Sequence, residues 1–382
     1  MCYRHGCERL QLTITATTSG RGFILPLTLW MIAIIGLLAS TINVWVAQAV
    51  ANSLALNQRT QLELSQVNLR NELVYFMAAR GTSYRGLEIG SRIGSASTGD
   101  FNAVLAGPSD SGRALKLDGR TYTSENDPDL ILTIQDGSGL FNLNTSTAKN
   151  LRRALTVQNV READISRMID TLLDYIDDDD LTRLAGAEKA EYTRLNYPLP
   201  ANGPLLTPFE AQKVLGWDKL TNLWEIDTRS PFLTTCSAPA GFNVNTAPAA
   251  VLSANITGLT PDKAERTVEK RAERPFRNIR EFGAAAELLI ADEPFFYTFT
   301  PGRCVIVDVI DKHSEQHVRF SLTLEPTSQT RPWRVDYAIK IPSQYRAALD
   351  NLDPEAVFPT PESVDLSTRS AEQRNDGNLE SQ

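Results

Sequence analysis

Apolar residues are spread unevenly along this chain, and the first pattern is a run rather than a period. Phe23 to Val46 reads FILPLTLWMIAIIGLLASTINVWV, and no charged residue occurs between Arg21 and Arg59. As a helix that run is long enough to cross a hydrocarbon core of roughly 30 Å, and buried helices of soluble proteins seldom go so far without a charge. Beyond it the pattern turns periodic. Leu54, Leu62, Leu69, Leu73 and Phe76 recur at near-helical spacing among Gln, Asn, Arg and Glu. The two patterns together predict one helix from Phe23 to Arg80, roughly 87 Å long at about 1.5 Å per residue. Apolar first and amphipathic later, such a helix suits packing beside copies of itself.

Further along, period two replaces period three to four. Leu130 to Ile134 reads as a strand, and Cys304 to Ile310 with Val318 to Leu324 read as a hairpin. Between them the pattern is helical: Ala148 to Leu155, then Ile165 to Ile176 with Ile169, Leu172, Leu173 and Ile176 turned toward a core. The expectation is an α+β fold in which an antiparallel sheet carries a large helical insertion between its strands. Trp217 and its neighbouring leucines read as core. Trp333 to Ile339 either adds a strand or docks a partner, and the polar chain from about residue 361 onward is expected to be disordered.

The insertion contains a degenerate repeat. Gly139-Leu140-Phe141-Asn142-Leu143-Asn144-Thr145 returns as Ala240-Gly241-Phe242-Asn243-Val244-Asn245-Thr246, each copy followed by a helical pattern. Thr145 and Thr246 are the expected N-caps, with Pro248 near the first turn of the second helix. After the second copy, Leu252, Gly258-Leu259-Thr260-Pro261, Ala264, Val268 and Phe276 read as helix, tight turn, helix, and Asn278 to Phe282 opens another. This looks like a helix-hairpin-helix module. In DNA-binding versions a glycine-rich hairpin and nearby cations hold a phosphate. Here only Gly258 is present, and Lys263, Arg266, Lys270 and Arg271 alternate with Asp262, Glu265, Glu269 and Glu273, as on a solvated, salt-bridged face.

The whole chain is acidic, with 38 Lys and Arg against 46 Asp and Glu and a formal charge of -8, which argues against coating nucleic acid. Its three histidines are His5, His313 and His317, and HExxH, GxSxG and GxxxxGK[ST] are all missing. Paired carboxylates occur only in one acidic turn, Asp177-Asp178-Asp179-Asp180, without a neighbouring base or nucleophile pattern. The sequence therefore points to a non-catalytic protein. Four consecutive carboxylates repel one another, so a compact turn there would be stabilised by a hard cation; Asp174, Asp177, Asp179, Asp180 and Glu188 supply oxygens enough for calcium. No EF-hand glycine is present, and a solvated acidic loop is the alternative.

Two resemblances sharpen the picture. A leader carrying Arg4, Arg9 and Arg21 against Glu8 ends in Gly22, and the apolar run starts at once with Phe23. This resembles the type IV prepilin leader, which implies cleavage between Gly22 and Phe23 by a prepilin peptidase and N-methylation of Phe23. A cleaved secretory signal is the rival, but its apolar region should be shorter and end in small residues. Most pilin-like proteins have Glu at mature position five, where this chain has Leu27. That departure, the run from Asp174 to Asp180 leading to Gly186-Ala187-Glu188 and Tyr192, then Asn202-Gly203-Pro204-Leu205, Pro208-Phe209-Glu210 and Gly216-Trp217, resemble the minor pseudopilin K family of type II secretion over roughly residues 20 to 325.

The resemblance implies a structural subunit at the pseudopilus tip, with a single inner-membrane span, the C-terminal part in the periplasm, and calcium-stabilised loops in the helical domain. It implies as partners the minor pseudopilins I and J, then H, the major pseudopilin and the prepilin peptidase, and no nucleic acid. The competing function is a membrane-tethered DNA receptor of a competence-like system. The implied division is a leader at 1–22, the transmembrane and assembly helix at 23–80, and pilin-like β parts at 81–140 and 301–327. Between the β parts lie SAM-like or helix-hairpin-helix-like helical regions at 141–238 and 239–300, and a polar tail follows at 328–382. Loss of the leader discards Cys2 and Cys7 and moves the formal charge from -8 to -10, leaving Cys236 and Cys304 as candidates for one disulfide in an oxidising compartment.

Overall fold

A computed structural model describes residues 24–89, 113–220, 223, 232–236, 241–290, 296–312, 316–341, 354–361 and 364. Gly22, Phe23, Cys2, Cys7, His5, His313 and the tail past residue 364 lie outside the described residues. The chain divides into two compact units, residues 1–63 and 64–382.

The described part of the first unit is the start of helix α1 (Ile24–Ala79), and it is long and apolar enough to cross a membrane. Its large side chains, from Ile24 through Trp30, Ile35 and Trp45 to Leu56, are exposed, Leu54 among them. The hydroxyls of Thr28 and Thr41 donate back to the carbonyls of Leu25 (2.9 Å) and Leu38 (2.8 Å), which satisfies them without a partner from outside the helix.

In the second unit, α1 buries Leu69, Leu73, Phe76 and Met77, three and four residues apart on one face. A small antiparallel sheet follows: β1 (Thr82–Ser83), β2 (Gly86–Glu88) and β3 (Ala114–Leu115). Next come the first strands of the main sheet, β4 (Asp118–Ser124) and β5 (Leu130–Asp136). The chain leaves the sheet for two helical modules. The first opens on β6 (Phe141–Asn142) and holds α2 (Ala148–Val157), α3 (Glu162–Ile176) and α4 (Lys189–Leu195) before returning on β7 (Leu233–Thr234). The second opens on β8 (Phe242–Asn243) and holds α5 (Ala249–Asn255), α6 (Pro261–Glu273) and α7 (Ile279–Ala286) before returning on β9 (Tyr297–Thr298). In each module the return strand lies parallel to the opening strand. Phe141, Leu151, Leu172 and Trp217 of the first module share one apolar core with Phe242, Leu252, Phe282 and Tyr297 of the second.

The chain then resumes the sheet with β10 (Cys304–Asp311), β11 (His317–Leu324) and β12 (Trp333–Lys340), and β13 (Ala356–Phe358) completes it. The six strands run in the order β12-β11-β10-β5-β4-β13, antiparallel except for the β13–β4 pair. Insertion of both modules between β5 and β10, which pair Ile134 with Val307, is the α+β plan expected from the alternation of strand and helix periods. Of the two options open to Trp333–Ile339, the strand is realised, so the sheet continues past Leu324. Phe358 is fully buried and meets Phe76 edge-on at 5.9 Å.

Alternation gives the central strands one aliphatic face, with Leu132, Ile134, Val305, Val307 and Val309, and one face with a buried polar cluster. There the Asp308 carboxylate accepts from His317 Nε2 (2.6 Å), Arg319 Nε (2.8 Å) and Thr133 Oγ1 (3.1 Å). Its acidity stays at about 2 despite burial, because Arg319 and His317 favour the ionised form. His317 opens β11 beside the hairpin turn and is buried.

Candidate functional site

The repeated motif does the same work in both modules. Asn142 Oδ1 accepts from the Asn144 amide (2.9 Å) and Asn243 Oδ1 from the Asn245 amide (3.0 Å), so each copy closes an Asx turn at the end of its opening strand. The second asparagine then clamps a distant peptide. Asn144 accepts from Leu205 N (2.9 Å) and donates to Leu205 O (3.0 Å); Asn245 accepts from Phe276 N (2.9 Å) and donates to Phe276 O (2.8 Å) and Phe299 O (2.9 Å). A primary amide presents one donor and one acceptor side by side and so matches a peptide group. These turns delay the helices and correct the expected caps. Thr147, not Thr145, caps α2 by accepting from Asn150 N, and Thr145 is exposed. Thr246 gives its hydroxyl to Asp136 (2.8 Å), leaving Pro248 at the cap of α5.

The second module meets the sheet at Asp136. Its fully buried carboxylate accepts from Ser138 N, Gly302 N, Asn243 Nδ2 and Thr246 Oγ1 at 2.8–3.0 Å. Burial raises its pKa above the usual carboxylate range, and the four donors pull it partly back. The copies also touch: a Cβ on Gly139 would lie 2.5 Å from Thr246 Oγ1 and 2.8 Å from its carbonyl carbon, so the first copy needs glycine where the second crosses it. Cys236, just after β7, forms a disulfide with Cys304 at the start of β10, with Cα atoms 6.2 Å apart.

The acidic turn lies in the first module alone. Asp174, on the last turn of α3, is fully buried and accepts from the Arg183 amide (3.1 Å) and Arg183 Nη1 (2.7 Å). Asp177 takes the same guanidinium. A Cβ on Gly186 would fall 1.9 Å from Asp174 Oδ2, which explains a glycine there. Asp179 Oδ1 accepts from Leu181 N (2.8 Å) and Asp180 Oδ1 from Asn202 Nδ2 (3.1 Å), so these two carboxylates organise the loop itself. Glu188 is different. It is 4% exposed, and both of its carboxylate oxygens are buried without a donor, as is Oδ1 of Asp177. Burial first, then the fields of Asp174, Asp177, Asp180 and Asp179, push its carboxyl up to about 7.

Among the described residues no three acidic, His or Cys side chains form a ready-made metal cage. What the loop offers a hard cation is three donorless carboxylate oxygens in a negative field, and that donor set has the chemistry calcium takes. Arg183, which sequence reasoning passed over, neutralises part of the cluster; its position nine residues after Asp174 gave no periodic signal.

Lys263 and Lys270 on α6 are salt-bridged, as the alternation of charges in sequence predicts. Lys263 and Lys270 donate to carbonyls at the end of α7, Glu287 O (3.4 Å) and Ala285 O (2.8 Å), and each lies 3.9 Å from the Glu287 carboxylate. Arg271 turns inward altogether and donates to Val244 O and Ala247 O. Thr260 caps α6 and Asn278 caps α7 through their side-chain oxygens.

Fold and site together define a class: an α+β protein with one helix fit to cross a membrane and two duplicated, amide-clamped helical modules set into an antiparallel sheet. Residues 131–222 and residues 242–293 each match a family described as Type II secretion system (T2SS), protein K. Two stretches of the chain thus resemble protein K of that system. The first match spans β5 and most of the first module, the second most of the second module. No curated protein matches the chain in sequence. Among solved structures, a chain of the GspK–GspI–GspJ complex from the enterotoxigenic Escherichia coli type 2 secretion system is similar at 16% identity. That likeness covers 59% of this chain and 89% of the other, with a TM-score of 0.41.

Proposed function

We propose that this protein is a minor pseudopilin that caps the tip of the type II secretion pseudopilus and helps to initiate its assembly, with no catalytic step of its own. The observation that carries this reading is the pair of protein K family matches lying on the two helical modules of a chain whose first helix is apolar enough for a membrane. In this reading prepilin peptidase cuts between Gly22 and Phe23 and methylates Phe23. The helix then leaves the inner membrane by packing against sister helices, and the modules, held in the periplasm, block addition above them. Leu27 suits a tip subunit, which has no neighbour above whose amino terminus needs an acid. The DNA-receptor alternative is weakened by the inward turn of Arg271 and the engagement of Lys263 and Lys270 with α7.

Calcium belongs to the same reading, held by Asp174, Asp177, Asp179, Asp180 and Glu188. Its contribution is structural: a counter-charge for carboxylates that repel one another, with the donorless oxygens of Glu188 and Asp177 as the support. The partners are the minor pseudopilins I and J, then H and the major pseudopilin. Coexpression tests the assembly: an affinity-tagged full chain should carry I and J through purification in detergent as a stable ternary complex. Recovery of the tagged chain alone under conditions where I and J pair with each other would refute the tip assignment.

A further inference from the structure

Arg271 sits on α6, a helix whose lysines reach the end of α7, yet Arg271 itself is only 6% exposed. Its Nη1 donates to the carbonyls of Val244 (2.8 Å) and Ala247, which bind a guanidinium without neutralising it. Among the described residues no carboxylate forms an ion pair with it. The acid whose field reaches it, Asp118, is held at both oxygens by Arg120, at 2.9 and 3.1 Å. A buried guanidinium without a counter-charge is unfavourable. A second cation faces the same place: Lys116, whose Nζ donates to the Ala272 carbonyl (3.1 Å) and likewise forms no ion pair among the described residues. Arg85, its charge met by Glu88, lines the same place. A cavity of about 20 Å³ lies among Arg85, Lys116, Asp118, Arg271, Asn245 and Thr246. That volume holds one occupant the size of a water molecule.

Burial lowers the Arg271 pKa to about 10, with Asp118 opposing and Arg120 adding to the effect; burial, then Arg120 and Arg271, lower that of Lys116 against the opposing fields of Asp118 and Glu355. A water could solvate these groups but would leave their charge uncompensated.

We propose that this cavity binds a small monovalent inorganic anion, of which chloride is the test case, as the counter-charge of Arg271 and Lys116. The anion ties the connection between β3 and β4 to α6 and the Asn245 turn, and so steadies the second module against the sheet. The proposal stands independently of calcium and of the tip assignment. The test uses the full chain in detergent, with thermal unfolding followed in sodium chloride and in sodium gluconate at equal ionic strength. Chloride should raise Tm by about 2–4 °C and saturate. Lys116→Gln, at a half-exposed position, should lose most of that rise while keeping its Tm in gluconate within about 2 °C. Arg271→Met should abolish the rise. Equal Tm values in the two salts would overturn the proposal and leave water as the occupant. A chloride rise retained in full by Lys116→Gln would overturn it as well, by placing the anion elsewhere.

Discussion

In the first helical module Asn144 clamps Leu205, 61 residues further on; in the second Asn245 clamps Phe276, 31 residues further on. The turn, the clamp and the parallel return strand are otherwise the same. The thirty additional residues of the first module contain the acidic turn, Arg183, Glu188 and α4. The second module reaches the same closure directly, and its hairpin carries no chemistry beyond a Thr260 cap and lysines spent on the end of α7. The comparison separates what builds a module from what one module adds. Closure depends on one amide at a fixed place, and the acidic turn lies in the additional segment of the longer module.

The comparison can be broken most directly at the clamps. Asn245→Ala strips partners from Phe276 N–H, Phe276 C=O and Phe299 C=O at once and should destabilise the chain by about 4 kcal/mol. Asn144→Ala, at a less buried site, should lose about 3 kcal/mol, with denaturant unfolding as the measurement. If either variant unfolds like the parent, the amides do not close the modules. Gly186→Ala forces a methyl group onto the Asp174 carboxylate and should destabilise by about 2–3 kcal/mol. The loss should fall on the first module, read by hydrogen exchange that quickens there and not in the second.

The sheet supplies a control common to both modules. Asp308 is held at about 2 in the fold against about 3.9 unfolded, so its contribution is present above pH 4 and disappears as pH falls from 4 toward 2. It amounts to roughly 2 kcal/mol. Asp308→Asn should flatten that acid limb of the stability curve; an unchanged limb would assign it to other carboxylates. Smallest is the effect of calcium. Added ion should raise Tm by about 2–4 °C. Glu188→Gln should lose most of that rise, whereas Lys263→Ala in the second module should leave it intact. A rise unaffected by Glu188→Gln would remove calcium from the acidic turn.

Much of this architecture was legible in the order of residues. The uncharged run, the switch between periods and the recurrence of Asn-x-Asn-Thr mark the helix, the strands and the two modules, because each depends on near neighbours in sequence. What escaped depends on distant partners. Nothing around Asn144 or Asn245 shows that Leu205 and Phe276 complete their hydrogen bonds. Thr246 looks like a helix cap until Asp136, 110 residues earlier, takes its hydroxyl. Arg271 sits among solvated charges in sequence, and only the packing of α6 turns it toward Val244 and Ala247. The acidic residues were visible as a cluster, but their division into loop-forming Asp179 and Asp180 and donorless Glu188 was not.

The central claim, that this chain is processed and assembled as a pseudopilin, is tested most directly by mass analysis of the amino terminus of protein extracted from membranes. The account predicts a chain that begins at Phe23, carries one N-methyl group and lacks residues 1–22. A chain that retains Met1, or one cut anywhere other than after Gly22, would contradict it.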